Sequence, residues 1–285
     1  MTCPGEMSQP DIFHDSRIRS LAWRDLVPVR SREIVAELLL PTVWLAGSLI
    51  AAGAAHALDR KFGYRWPAGY LLALVFSFMF FLAGLRIVHN AFHYALGLSR
   101  PLTDGILWIM SVVMLSSLHA VRFNHLRHHR LMLGEADVEG RSAEMPWWRA
   151  LLFGPAFTVL LHTTALRRGT RRLKATVIAQ LFLNAGWIAY VLRFSNSHVL
   201  RYHVMAMSLG HCFTAFFAVW TVHHHCDRTH YLARTLRNRV KNALTFDMFR
   251  HIEHHLFPAV PTCHLAQLSV RLDVAAPELK QKIVF

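Results

Sequence analysis

PAGYLLALVFSFMFFLAGLRIV, residues 67–88, runs straight into His89-Asn90-Ala91-Phe92-His93. The first part contains no Asp, Glu or Lys and, as a helix, is long enough to cross a hydrocarbon layer of about 30 Å, which takes about 20 residues. Its one charge, Arg86, stands at the end of the run, where a long side chain can reach the interface. The second part sets two imidazoles at i and i+4, one above the other on a helix. The stretch reads as a membrane span that delivers a pair of metal-capable side chains to its end.

Three more runs have the same apolar length, residues 37–58, 174–194 and 203–222. With 54% hydrophobic and 17% charged residues in a 285-residue chain, a soluble globular domain is disfavoured. The links 59–66 and 195–202 are short, so the spans pair as helical hairpins. Two other apolar runs, 102–118 and 150–161, are awkward as spans, the second being short and carrying Gly154-Pro155. Both read as in-plane or re-entrant helices. A single crossing between His93 and His125 would put about 30 Å of hydrocarbon between their histidine groups, and a double crossing would need roughly 40 residues.

The formal net charge is +14. Arginines gather at Arg17, Arg19, Arg24, Arg30 and Arg32, at Arg167, Arg168, Arg171 and Arg172, and at Arg234, Arg237 and Arg239, which the positive-inside rule places in the cytoplasm. Such a basic face suits an anionic membrane surface or an acidic protein, and the apolar content speaks against nucleic acid. The first 34 residues lack the apolar core of a secretory signal. Cys3, Cys212, Cys226 and Cys263 form no CxxC pair, so neither a disulfide framework nor a thiolate metal site is expected. The expected architecture is an all-α integral membrane bundle with four spans and in-plane helices. Residues 1–36 form a cytoplasmic N-terminal segment, and 37–285 a catalytic domain whose cap, 223–285, is cytoplasmic.

Twenty histidines are present, and their spacing matters more than their number. His125-Leu126-Arg127-His128-His129 puts i, i+3 and i+4 on one helical face, and His251-Ile252-Glu253-His254-His255 repeats that spacing far along the chain. A fourth group, His223-His224-His225, closes the last apolar run. The three spaced boxes alone offer eight candidate ligands, too many for one ion that takes four to six. Neutral nitrogen donors without thiolates suit two irons used for oxygen chemistry better than structural zinc. Oxidising an unactivated C–H bond is beyond any side chain, so a cofactor must carry it.

The boxes HxxxH, HxxHH and HxxHH, with the run Glu253-His254-His255-Leu256-Phe257-Pro258 and the following Val260-Pro261, resemble the membrane fatty-acid desaturase superfamily, which includes hydroxylases and carotenoid ketolases. The resemblance implies that His89, His93, His125, His128, His129, His251, His254 and His255 are iron ligands. It adds a histidine after the last span, and His225, followed by Cys226-Asp227, is chosen for that place with His224 beside it. Asp247, four residues before His251, is a candidate to orient that ring. The chain departs from many relatives at Phe249, where they carry asparagine.

What the resemblance implies is oxygen-dependent oxidation of a lipid-like chain by two irons, with molecular oxygen as co-substrate and fatty acyl desaturation as the leading reaction. Hydroxylation, ketone formation and oxidative decarboxylation are its close alternatives. Electrons must come from a separate ferredoxin, rubredoxin or cytochrome-type donor with its reductase, since the chain has no nucleotide, haem or iron–sulfur motif. A metal transporter would keep its ligands near the bilayer midplane, where only His211 stands. A membrane zinc protease would need HExxH, which is absent.

Overall fold

The computed structural model describes residues 10–63 and 67–284. Among them the protein is helical throughout, and β structure is limited to two isolated bridges, Thr235–Arg250 and Thr235–Ile283. Three helices are long and apolar enough to cross a bilayer: α1 (Ser31–Phe62), α2 (Pro67–Phe92) and α6 (Arg171–Arg193), the last following α3 (Arg100–Val113), α4 (Leu118–Leu131) and α5 (Gly154–Arg168). Two further apolar stretches are broken helices, so the number of candidate spans rises to five if each broken pair counts as one.

The ends of these helices are set locally. The Glu33 carboxylate accepts the Arg30 N–H at 2.8 Å and opens α1, while Gly63, at φ 71°, supplies the left-handed residue that closes it. At the start of α6, the Thr170 hydroxyl accepts the Leu173 N–H at 3.3 Å. The run expected in-plane at 102–118 is helical only to Val113, and 14 residues span about 21 Å at 1.5 Å each, short of a full crossing.

The fourth apolar run, expected as one helix over 203–222, is broken. α7 (His198–His211) ends before Cys212, and the chain resumes as a π-helical turn, Ala215–Trp220, that leads into Thr221–His223. Another helix packs closely at this point. A Cβ on Gly154 would stand 1.7 Å from the Cys212 carbonyl oxygen, so the start of α5 packs backbone to backbone against the break.

The chain divides into two compact units. One comprises Arg30–His119 and Gly169–His211 and holds α1, α2, α3, α6 and α7. Hydroxyls bind its helices together in a hydrocarbon-like interior: Ser48 to Ser77 at 2.7 Å and Ser77 to Tyr202 at 2.8 Å link α1, α2 and α7. The buried Gln180 of α6 accepts from the Ser117 hydroxyl at 2.8 Å and donates to His119 Nδ1 at 2.9 Å.

The other unit comprises Met1–Val29, Ala120–Arg168 and Cys212–Phe285. It contains most of α4, all of α5, α8 (His251–Leu256) and α9 (Leu265–Ala275). Its core joins Ile12, Ile18 and Leu26 to Ile252, Leu268 and Leu272. The segment before the first span thus packs with the end of the chain. Arg271 pairs with both Asp25 oxygens at 2.6 Å, and His264 Nδ1 donates to the Leu26 carbonyl at 2.7 Å.

Candidate metal centre

Three imidazoles gather around that of His223 in the second unit. His128 comes from α4, His223 from the short helical segment after the π-helical turn, and His251 and His255 from successive turns of α8. His223 Nε2 lies 3.1 Å from His128 Nε2, 3.1 Å from His251 Nε2 and 3.2 Å from His255 Nε2, and the last two are 3.2 Å apart. Beside this group His129 Nε2 stands 3.2 Å from His125 Nε2 and 2.9 Å from His254 Nε2. The rings of His129 and His255 stack at 4.4 Å between centroids, so the two foci are neighbours.

The other ring nitrogens show what these atoms can do. His223 Nδ1 faces the Leu232 carbonyl at 2.9 Å, and a carbonyl only accepts, so that nitrogen carries the proton. Nε2 is left with one lone pair in the ring plane and three nitrogen neighbours. A proton on one neighbour could satisfy only one of those contacts. A cation satisfies several at once: the ligand nitrogens of His128, His223 and His255 all lie within 4.8 Å of one another, and two nitrogens about 2.1 Å from one metal at angles near 90–110° are roughly 3.0–3.4 Å apart. A donor set of neutral imidazoles suits iron, zinc, copper or nickel.

Carboxylates orient the rings of α4. Asp137 Oδ2 lies 2.6 Å from His128 Nδ1, and Glu139 Oε1 lies 2.9 Å from His125 Nδ1. Burial alone would raise the Asp137 pKa, but the His128 ring and the N–H groups of Gly140 and Leu133 outweigh it and hold the carboxyl below its usual range. Burial drives Glu139 up to about 8. His255, enclosed among other histidines, is held well below the ordinary imidazole value by burial and by its neighbours.

Several expected site residues take other places. His225 has a left-handed backbone, φ 54°, and its ring packs edge-on against His224, 5.5 Å between centroids. His223 stands among the other rings instead. His224 stacks on Trp220 at 4.0 Å, with its Nδ1 donating to the Trp220 carbonyl at 2.8 Å. Asp247 pairs with Arg250 at 2.8 Å rather than orienting His251. Glu253 is wholly buried, bound by the Thr235 hydroxyl at 2.8 Å and by Arg237 at 2.6 Å, so the carboxylate inside the third box anchors α8. His89 and His93 belong to the first unit, at the end of α2, with rings edge-on at 5.7 Å.

Asp137, Glu139 and His223 are the residues that sequence reasoning missed. The nearest signal was the acidic run Glu135, Asp137, Glu139 placed directly after the second box. A cavity of about 490 Å³ borders His223 and is lined also by Glu144, Met145, His225 and Arg228.

A comparison with curated proteins returns no match. The family model described as fatty acid desaturase matches residues 65–284 of the 285, a stretch that contains all three histidine boxes. On that match, over most of its length, the chain belongs to the fatty acid desaturase family.

Proposed function

We propose that the protein is an oxygen-dependent membrane di-iron oxidoreductase that introduces a double bond into a fatty acyl or similar lipid chain. The observation that carries this reading is the convergence of three imidazole nitrogens on that of His223 beside a second histidine focus. His128, His223, His251 and His255 would hold one iron, and His125, His129 and His254 the other. His89 and His93 are assigned to iron on their spacing and on the resemblance of their box, not on a contact. Bound iron supplies the reduction of oxygen and an oxidant strong enough for an unactivated C–H bond.

The residues of the chain do the rest. Asp137 and Glu139 fix the tautomer and direction of His128 and His125, and Glu253 with Arg237 holds the helix that bears the third box. The fourth apolar run, α7 with the π-helical turn, would return the chain to the cytoplasm and complete four crossings with α1, α2 and α6. Electrons would come from an acidic ferredoxin, rubredoxin or cytochrome-type carrier drawn to the basic face.

Asp137→Asn should weaken iron binding roughly 10- to 100-fold, the usual cost of losing an outer hydrogen-bond partner of a metal-bound histidine. Iron titration of the purified protein, followed by the metal retained per chain, measures this. The reaction itself is tested by supplying a ferredoxin system with deuterated fatty acids, acyl thioesters and carotenoids under labelled oxygen. The expected product has lost two hydrogens from adjacent carbons. Dominant incorporation of labelled oxygen into the organic product would move the assignment to a hydroxylase or ketolase.

A further inference from the structure

The end of α2 carries a charge pair that sequence alone does not disclose. Read from the sequence, Arg86 reaches out to the interface; in the structure its guanidinium turns onto Glu37 of α1. Arg86 Nε lies 3.0 and 2.9 Å from the two carboxylate oxygens, and Nη2 bonds Oε1 as well. Glu37 is only 5% exposed. Asn90, 3% exposed, extends Nδ2 toward the same carboxylate at 3.4 Å.

On α2 this network alternates with the first histidine box. His89 follows Arg86 by three residues on the helix and so has a member of the network beside it, and His93, in the turn just past the end of α2, follows Asn90 by three. Ionised side chains inside a span are costly and are held by specific partners. Glu37 both fixes this turn and cancels a guanidinium charge that would oppose a dication bound one turn away. Glu37 also lies outside the stretch matched by the family model, residues 65–284, so the contact is made by the N-terminal span of this chain.

We infer that Glu37 is a positioning residue for the first histidine box, acting through Arg86 and Asn90 on the turn that bears His89 and His93. The inference rests on the assignment of those two histidines to iron.

The test compares full-length Glu37→Gln, Glu37→Asp, the double variant Glu37→Leu/Arg86→Met, and His89→Ala. The readouts are iron bound per folded chain, the Mössbauer spectrum and the melting temperature. Glu37→Gln should bind iron roughly 10- to 100-fold more weakly and alter the spectrum of one iron. Glu37→Asp, which keeps a carboxylate, should recover part of the loss. The double variant leaves no lone buried charge and should fold, so it carries the test where Glu37→Gln does not accumulate. It too should bind iron more weakly, because the turn has lost its fixing contacts.

If His89→Ala keeps full iron and an unchanged spectrum, the ligand assignment fails and takes this inference with it. If His89→Ala loses iron while Glu37→Gln, or the double variant in its stead, binds iron with wild-type affinity and spectrum, the positioning role is overturned. A fall in the melting temperature of that variant would not rescue it.

Discussion

His223→Ala is expected to reduce bound iron from about two per chain to one or fewer and to lower turnover by more than roughly 100-fold, the upper end of what loss of an outer partner costs. Its Nε2 is the shared neighbour of three other imidazole nitrogens, and its Nδ1 is locked on a backbone carbonyl, so no other side chain can take its place. His225→Ala should keep its iron, since that ring packs on His224 away from the converging nitrogens. Metal analysis of the two variants purified side by side gives the answer. Equal iron in both, or loss only in His225→Ala, would defeat the assignment.

Gly154→Ala should destabilise the protein more than any exposed substitution on α5. The added methyl would sit 1.7 Å from the Cys212 oxygen, a backbone atom that no rotamer change can move aside. Relief requires α5 to withdraw or the break before the π-helical turn to shift, and that turn leads into the segment that carries His223. Overpacking of this kind typically costs about 1–3 kcal/mol or more, so a fall in apparent melting temperature on the order of 10 °C is expected. Iron content should fall with it. Thermal unfolding in detergent, read by near-ultraviolet circular dichroism, together with metal analysis, would reveal a neutral substitution if the contact is unimportant.

The long helices were legible because a bilayer span needs only length and apolar content, and α1, α2 and α6 have both. The second and third boxes were legible because i, i+3 and i+4 mean one face on any α-helix. His223 was not, because that rule fails in the turn that leads to it. A π-helical turn adds a residue per turn, and beyond His223 the backbone becomes extended at His224 and left-handed at His225, so counting at 3.6 residues misplaces the ring. The break at Cys212 comes just after Gly210, but its close packing against Gly154, remote in sequence, could not be read. Asp137 and Glu139 sit in a connection without periodicity, where only contact with His128 and His125 gives them a role.

The docking of residues 10–29 against the end of the chain also sets a timetable. Asp25 waits for Arg271, Leu26 for His264, and Arg17 for Glu278, partners separated by 246, 238 and 261 residues. At about 5–20 residues per second, translation leaves the early segment of this assembly without its partners for something on the order of ten to fifty seconds. The third histidine box is made in the same closing interval, close to those late partners. The last histidine of the third box follows that of the second by 126 residues, so the cluster of imidazoles can close only late in this interval.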